Sequence, residues 1–201
     1  IGEVYVATCD NEIALEVERN GGKYIMTDSR HTTGTDRVYE AAQKLNLQES
    51  DVIINLQGDE PMINPLDIER LCKISREKNL YMSTLAFKLK NNDDYENTNV
   101  VKVITKNKIS DNSTEEALNF YRKVDLNKNN NVYHHFGIYL YKFSALKKFV
   151  NLKKSENEIK EKLEQLRALD NKMKINVILA NYFSSGIDTK KDLEEYIKKI
   201  N

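Results

Sequence analysis

The chain has 201 residues, with 31 Lys+Arg against 31 Asp+Glu and a formal net charge of zero. That length suits one ordinary domain, or one domain with a small lobe, and is enough to bury a sizeable core. Zero net charge argues against holding nucleic acid or an anionic membrane by bulk charge; no apolar run has membrane-spanning length; and two cysteines, Cys9 and Cys72, fit a reducing cytoplasm better than a disulfide scaffold.

The first half alternates between strand and helix signals. Glu3–Thr8 is a β-branched apolar run that predicts a strand within three residues of Ile1. A chain that opens so abruptly is expected to begin inside a longer protein. Glu12–Arg19 fits a short helix stopped by the turn signal Asn20-Gly21-Gly22. Lys23–Thr27 is a second strand. A helix over Thr35–Leu45 follows, with Val38, Ala41, Ala42 and Leu45 at helical spacing. Asp51–Leu56 is a third strand, apolar enough to be covered on both faces. Asn64-Pro65 caps and opens a helix with Ile68, Leu71 and Ile74 on one face. Tyr81–Leu89 is the next strand.

The second half is less regular. Val100–Thr105 predicts a strand, and the polar stretch Asn107–Glu116 a loop. Ala117–Tyr121 and His134–Lys142 predict strands joined through Asp125–Asn131, the most linker-like segment, expected to be mobile. Ser144–Val150 is a short helix. Ser155 caps a longer one carrying Ile159, Leu163, Leu166 and Leu169 on one face. Lys174–Ala180 is a strand. Thr189-x-x-Asp192 is a capping box opening a last helix, with Leu193, Tyr196 and Ile197 on its inner face. Alternating strands and helices predict an α/β fold with a mainly parallel sheet flanked by helices. The strand-rich middle, roughly residues 100–150, is expected to form a smaller lobe.

Several segments could carry chemistry. Gln57-Gly58-Asp59-Glu60-Pro61 follows an apolar strand, and open parallel sheets bind ligands beyond their carboxyl ends. Asp59 there is a hard oxygen ligand suited to Mg²⁺ bridging phosphates; the same residues also suit a solvated turn. Gly186-Ile187-Asp188-Thr189 follows the last strand, so Asp59 and Asp188 make a candidate metal pair, although Asp and Thr are common helix caps. Ser29–Arg37 gathers hydroxyls, Gly34, two arginines and His31 at a helix start, a place that favours anions and polar ligands. In the strand 134–139, period-two geometry puts His135, Gly137 and Tyr139 on one face and His134, Phe136 and Ile138 on the other. The three histidines and two cysteines have no zinc spacing. Glu158, Glu161 and Glu164, read alone, are a solvated acidic helix face.

In order, VATCD (6–10), MTDSRHTTGTDR (26–37), NLQGDEP (55–61), NVVKV (99–103), HHFGIYLY (134–141), EKLEQLRAL (161–169) and GIDTKKDL (186–193) span nearly the whole chain. Together they resemble the 3-deoxy-manno-octulosonate (Kdo) cytidylyltransferases. The resemblance implies Mg²⁺-dependent transfer of CMP from CTP to Kdo, with release of pyrophosphate, by a homodimeric cytoplasmic enzyme that feeds lipopolysaccharide synthesis. It implies Asp59 and Asp188 as catalytic metal ligands. It implies Thr8, His31, Gly34, Thr35, Arg37 and Gln57 as nucleotide contacts, and Arg122, His135, Tyr139 and Gln165 as sugar contacts. Arg122 suits a sugar carboxylate because its guanidinium pairs bidentately. The family begins with a strand and a basic phosphate loop that precede the first residues of this chain, a unit of about 30 residues. Phe120-Tyr121-Arg122-Lys123 departs from the family pattern and leaves open another acidic sugar, such as 8-amino-Kdo or a sialic-like acid. The phosphate loop's absence from these residues leaves a non-catalytic remnant as the other alternative.

Overall fold

The computed structural model describes residues 2–89, 93–124, 131–184, 186–187 and 189–200. The first unit is local. β1 (Val6–Thr8) and β2 (Tyr24–Met26) pair in parallel and are joined by α1 (Asn11–Arg19). Asp10 caps α1 by accepting from the backbone N–H groups of Glu12 and Ile13. α2 (Gly34–Lys44) starts at the cap Thr33, whose hydroxyl oxygen accepts from the Asp36 N–H.

The main sheet contains β3 (Val52–Asn55), β4 (Met82–Lys88), β5 (Lys102–Thr105), β6 (Glu115–Tyr121), β7 (Val132–Lys142) and β8 (Asn176–Leu179), in the order β3-β7-β4-β8-β6-β5. β3, β4, β8 and β5 point one way, and β7 and β6 run against them. The expected mainly parallel sheet is therefore a mixed one. β7 inserts antiparallel between β3 and β4, and β4–β8 is the parallel pair within this sheet. Sequence pattern counts strands but does not show which strand slides between which. β3 pairs with β7 alone among the described residues, so it lies at the sheet's end, and Val52 and Leu56 stay 52 % and 42 % exposed. Between those ends Ile53 packs on one core and Ile54 on the other, so both faces of the strand have the expected cover.

Alternation along the strands sorts side chains into two cores. Met82, Ala86, Tyr139, Tyr141, Val177 and Leu179 belong to one, beneath α5 (Phe143–Val150) and its neighbours. Leu85, Phe136, Ile138, Leu140 and Ile178 belong to the other, beneath α3 (Pro65–Glu77), where Leu71 and Ile74 are buried. α3 begins as expected, with Asn64 accepting from the Leu66 N–H and Pro65 in the first turn. A one-turn helix, α4 (Asp93–Glu96), carries no sequence signal.

The single long helix expected after Ser155 is two pieces, α6 (Glu156–Glu161) and α7 (Leu166–Asp170). Lys162 breaks it by adopting a left-handed conformation, φ 53°. The break brings Arg167 back onto Glu158. Their side chains are 3 % and 7 % exposed and make two hydrogen bonds, of 2.9 and 2.5 Å. The guanidinium also lies 4.7 Å from the Phe149 ring centroid. Glu158 closes a capping box with Ser155 as well. The expected solvated acidic face is thus corrected: Glu158 is buried and paired. On α8 (Lys190–Ile200), the expected inner residues Leu193 and Ile197 are each 44 % exposed. Helical spacing marks an apolar stripe, but not whether anything covers it.

Breaking a buried ion pair strands its partner's charge and costs about 3–5 kcal/mol. Glu158→Ala is expected to lose that much in urea unfolding. A loss of under 1 kcal/mol would show that Arg167 is not held by this pair.

Candidate active site

α2 follows β2 in the chain, and its first residue lies against the loop that leaves β3. An ideal Cβ on Gly34 would lie 2.6 Å from Gln57 Oε1 and 2.9 Å from its Nε2, so only glycine leaves the Gln57 carboxamide in place. Gln57 Nε2 donates to Asn55 Oδ1 at 2.5 Å. Asn55 Nδ2 reaches Thr35 Oγ1 at 3.4 Å, and Thr35 donates to Glu164 Oε2 at 2.8 Å. A polar seam thus runs from the β3 loop, across the start of α2, to the residue before Gln165. Burial raises the Glu164 carboxyl's pKa, and the Thr35 hydrogen bond only partly offsets this.

A second group sits at the carboxyl ends of β1 and β2. Thr8 is buried, and its carbonyl accepts from the Thr27 N–H at 2.8 Å. Arg37 Nη1 donates to Thr27 Oγ1 at 2.5 Å. His31 is hydrogen-bonded through Nε2 to Glu40. Glu40 also accepts from the Asp28 N–H and pairs with Lys44. The Lys44 contact, then the Asp28 N–H and His31, hold its carboxyl down near pKa 2. His31, Thr35 and Arg37 are therefore fixed by their own partners along one helix start.

The loop that carries the metal-binding candidate Asp59 meets residues 186–187. Asp59 is exposed, two residues past Gln57, and its backbone carbonyl accepts from the Ile187 N–H at 2.7 Å. Gly186 closes in so far that a Cβ there would sit 3.4 Å from the same carbonyl. Asp188 lies outside the described residues. Among the described residues no group of three His, Cys, Asp or Glu is gathered to hold a metal by itself. One exposed hard-oxygen ligand beside a polar cradle fits the way Mg²⁺ binds, with substrate phosphates and water completing its shell.

β7 supplies the third group. His135 and Tyr139 share a face, with ring centroids 5.4 Å apart, and Phe120 meets the His135 ring edge-on at 5.0 Å. Thr84 donates its one proton to the Ile138 carbonyl at 2.7 Å. Its oxygen therefore accepts from His135 Nε2, 3.0 Å away, which leaves the lone pair on Nδ1 of the neutral ring. Burial pushes the His135 pKa down to about 3 and that of His134 to about 4. Among the described residues the buried Tyr139 hydroxyl has no hydrogen-bond partner, and burial raises its pKa. Gln165 is buried. The Arg122 guanidinium is bonded to backbone, donating to the carbonyls of Glu161, Thr98 and Lys162 at 3.1, 3.0 and 3.3 Å.

The same arrangement of elements occurs in known proteins. A cytidylyltransferase family profile matches residues 1–175. A 3-deoxy-manno-octulosonate cytidylyltransferase of Thermodesulfovibrio yellowstonii is 46 % identical, over the whole chain and 82 % of that protein's length. One from Bartonella tribocorum is 39 % identical with the same coverage. A CMP:2-keto-3-deoxy-manno-octonic acid synthetase complexed with CTP superposes with a TM-score of 0.86 at 32 % identity, covering all of this chain and 81 % of its own. The chain belongs to the 3-deoxy-manno-octulosonate cytidylyltransferase family. A UTP-bound UGPase from Acinetobacter baumannii, 8 % identical with a TM-score of 0.66 over 96 % of this chain and 70 % of that one, shares the fold alone.

Within this family member, the structure joins the nucleotide candidates Gly34, Thr35 and Gln57 in one seam. It joins the sugar candidates His135 and Tyr139 on one strand face. Glu164 is the residue that motif spacing missed, because three glutamates on a helix look like a wet face. Arg167, three residues on, is the signal that could have found it: the two side chains lie 3.5 Å apart.

The histidines make a pH prediction. Below pH 6.5 the unfolded chain takes up protons that folded His135 and His134 refuse, so stability present above pH 6.5 is lost as the pH falls toward 4. Glu40, whose carboxyl is depressed, acts only below about 4.5, and Glu164, whose carboxyl is raised, acts in the opposite sense. His135→Gln is expected to flatten the fall in urea-unfolding free energy between pH 6 and 4.5 by up to about 1.4 kcal/mol per pH unit. Equal slopes in variant and wild type would mean that folded His135 takes up its proton near pH 6.5.

Proposed function

We propose that the chain catalyses transfer of CMP from CTP to Kdo, giving CMP-Kdo and pyrophosphate. The carrying observation is the match over the full chain, by sequence and by fold, to a synthetase holding CTP, combined with the Gly34–Gln57–Thr35 cradle. The anomeric hydroxyl of the sugar attacks the α-phosphorus in line and pyrophosphate leaves. There is little covalent work for the protein in such a step, so position and charge neutralisation carry it.

Gln57, beside Gly34, offers a carboxamide to the nucleotide, and the fixed helix start of α2 offers N–H groups to its anionic part. His31 and Arg37 flank that start. His135 Nδ1, held as an acceptor by Thr84, suits a hydroxyl of the sugar. Tyr139 and Gln165 complete that side, and Glu164 ties it to Thr35. Arg122 meets the sugar carboxylate once its bonds to backbone carbonyls open. Asp59 and Asp188 would hold Mg²⁺, which would neutralise phosphate charge. We also infer a homodimer in the cytoplasm that supplies lipopolysaccharide synthesis. Family resemblance supports this reading, and among the described residues no helix is long and apolar enough to cross a membrane.

Asp59→Ala in the intact protein is expected to abolish pyrophosphate release while its melting temperature stays within a few degrees of wild type. Near-wild-type turnover would remove Asp59 from the site. Gly34→Ala displaces the Gln57 carboxamide, at a cost of one or two hydrogen bonds to the nucleotide, about 1–3 kcal/mol. Its KM for CTP is expected to rise about tenfold or more. A panel of Kdo, 8-amino-Kdo and a sialic acid tests the sugar, and turnover with another sugar but silence with Kdo would replace Kdo as substrate.

A further inference from the structure

Asp67 is a carboxylate 1 % exposed, on the first turn of α3, and is none of the residues assigned above. A buried charge of this kind needs compensation. It finds some in the N-terminal end of its own helix and the rest in a neighbouring segment. Oδ1 accepts from the Asn181 N–H at 2.7 Å, and Oδ2 accepts from the Tyr182 N–H at 3.0 Å. One turn along α3, Arg70 Nε donates to the carbonyl of Leu179 at 2.9 Å. α3 thus grips the exit of β8 from both sides, through its acceptor and its donor.

The gripped segment runs directly to the metal-binding edge. Phe183 packs on Phe87, with ring centroids 5.7 Å apart, and lies 5.8 Å from His134. Ser184 donates to Glu60 Oε2 at 3.3 Å, and the Ile187 N–H reaches the carbonyl of Asp59 at 2.7 Å. Free peptide at a strand exit fluctuates, and a loop anchored at one end alone would let the Asp59 loop drift. Here the chain is pinned at 181–182 by Asp67 and at 187 by Asp59.

We infer that Asp67 is a positioning residue for the metal edge: its two backbone hydrogen bonds fix the β8 exit, and through it the loop that carries Asp59. It touches neither substrate nor metal. The inference rests on the reading of Asp59 as a metal ligand, and the test separates the two.

Asp67→Asn keeps the shape, but turns one accepting oxygen into an amide donor that faces a backbone N–H. The probe is Mn²⁺ in place of Mg²⁺, titrated by electron paramagnetic resonance against the intact protein with CTP present. Wild type should bind, Asp59→Ala should not, and Asp67→Asn should bind about tenfold more weakly, a loss of the size seen when groups that orient metal ligands are removed. Ser75→Ala, on the same helix as Asp67, removes a buried hydrogen bond to Ser83 of β4 and should leave Mn²⁺ affinity unchanged. Wild-type affinity in Asp67→Asn, alongside its loss in Asp59→Ala, overturns the role of Asp67. Binding that survives Asp59→Ala overturns the metal reading instead. Hydrogen exchange gives a readout that needs neither metal nor a folded variant. In the wild-type protein the Asn181 and Tyr182 amides should exchange as slowly as those of β8, and fast exchange there overturns the inference.

Discussion

β7 is an eleven-residue strand with hydrogen-bond partners on both edges: β3 and β5 on one, β4 on the other. A strand paired on both sides cannot slip by one residue without turning every side chain to the opposite face. That constraint fixes the two cores. It puts His135, Tyr139 and Tyr141 toward the α5–α7 side, and Phe136, Ile138 and Leu140 toward α3. The His135–Tyr139 face proposed for the sugar and the packing of the fold are therefore set by one register.

The helices past β7 use that register. Tyr141 stacks on Tyr139 and lies 6.3 Å from Phe149, and Arg167 covers the other ring contact of Phe149. Glu158 then neutralises Arg167. A charge buried against an aromatic face is tolerable only with its counter-ion in place, so the left-handed turn at Lys162 is a requirement of the pair rather than a loose end of a helix. The same turn delivers Glu164 to Thr35 at the mouth of α2. The packing and the polar seam proposed for the nucleotide are thus linked through four residues, Phe149, Arg167, Glu164 and Thr35.

The loops that would carry the metal obey a different logic. They lie beyond strand ends, where the sheet no longer supplies partners, so each backbone group needs one from elsewhere. Asp67 and the Asp59 carbonyl supply them from α3 and from the β3 loop. A carboxylate on a helix's first turn is ordinarily an electrostatic decoration of the dipole. The structure shows this one turned inward and used as a double acceptor.

Much of this was legible in the chain. The Asn20-Gly21-Gly22 turn marked the end of α1, apolar spacing marked α2, and the Asn64-Pro65 cap marked α3, because such signals are local: Asn64 acts on an N–H group two residues away. Period two along 134–141 gave the correct faces of β7, because pleating is a property of the backbone itself. The ordered motifs gave the family, and the glycine at 34 had its reason in Gln57, a contact across only 23 positions of the same α/β unit. What sequence could not contain is partner choice at long range. The antiparallel insertion of β7, the pairing of Glu158 with Arg167 across a broken helix, the exposure of Leu193 and Ile197, and the inward turn of Asp67 all depend on surfaces brought together only on folding. A side chain's own pattern states what it prefers to touch; only the folded chain decides what is there to be touched, because that depends on the sum of all other contacts.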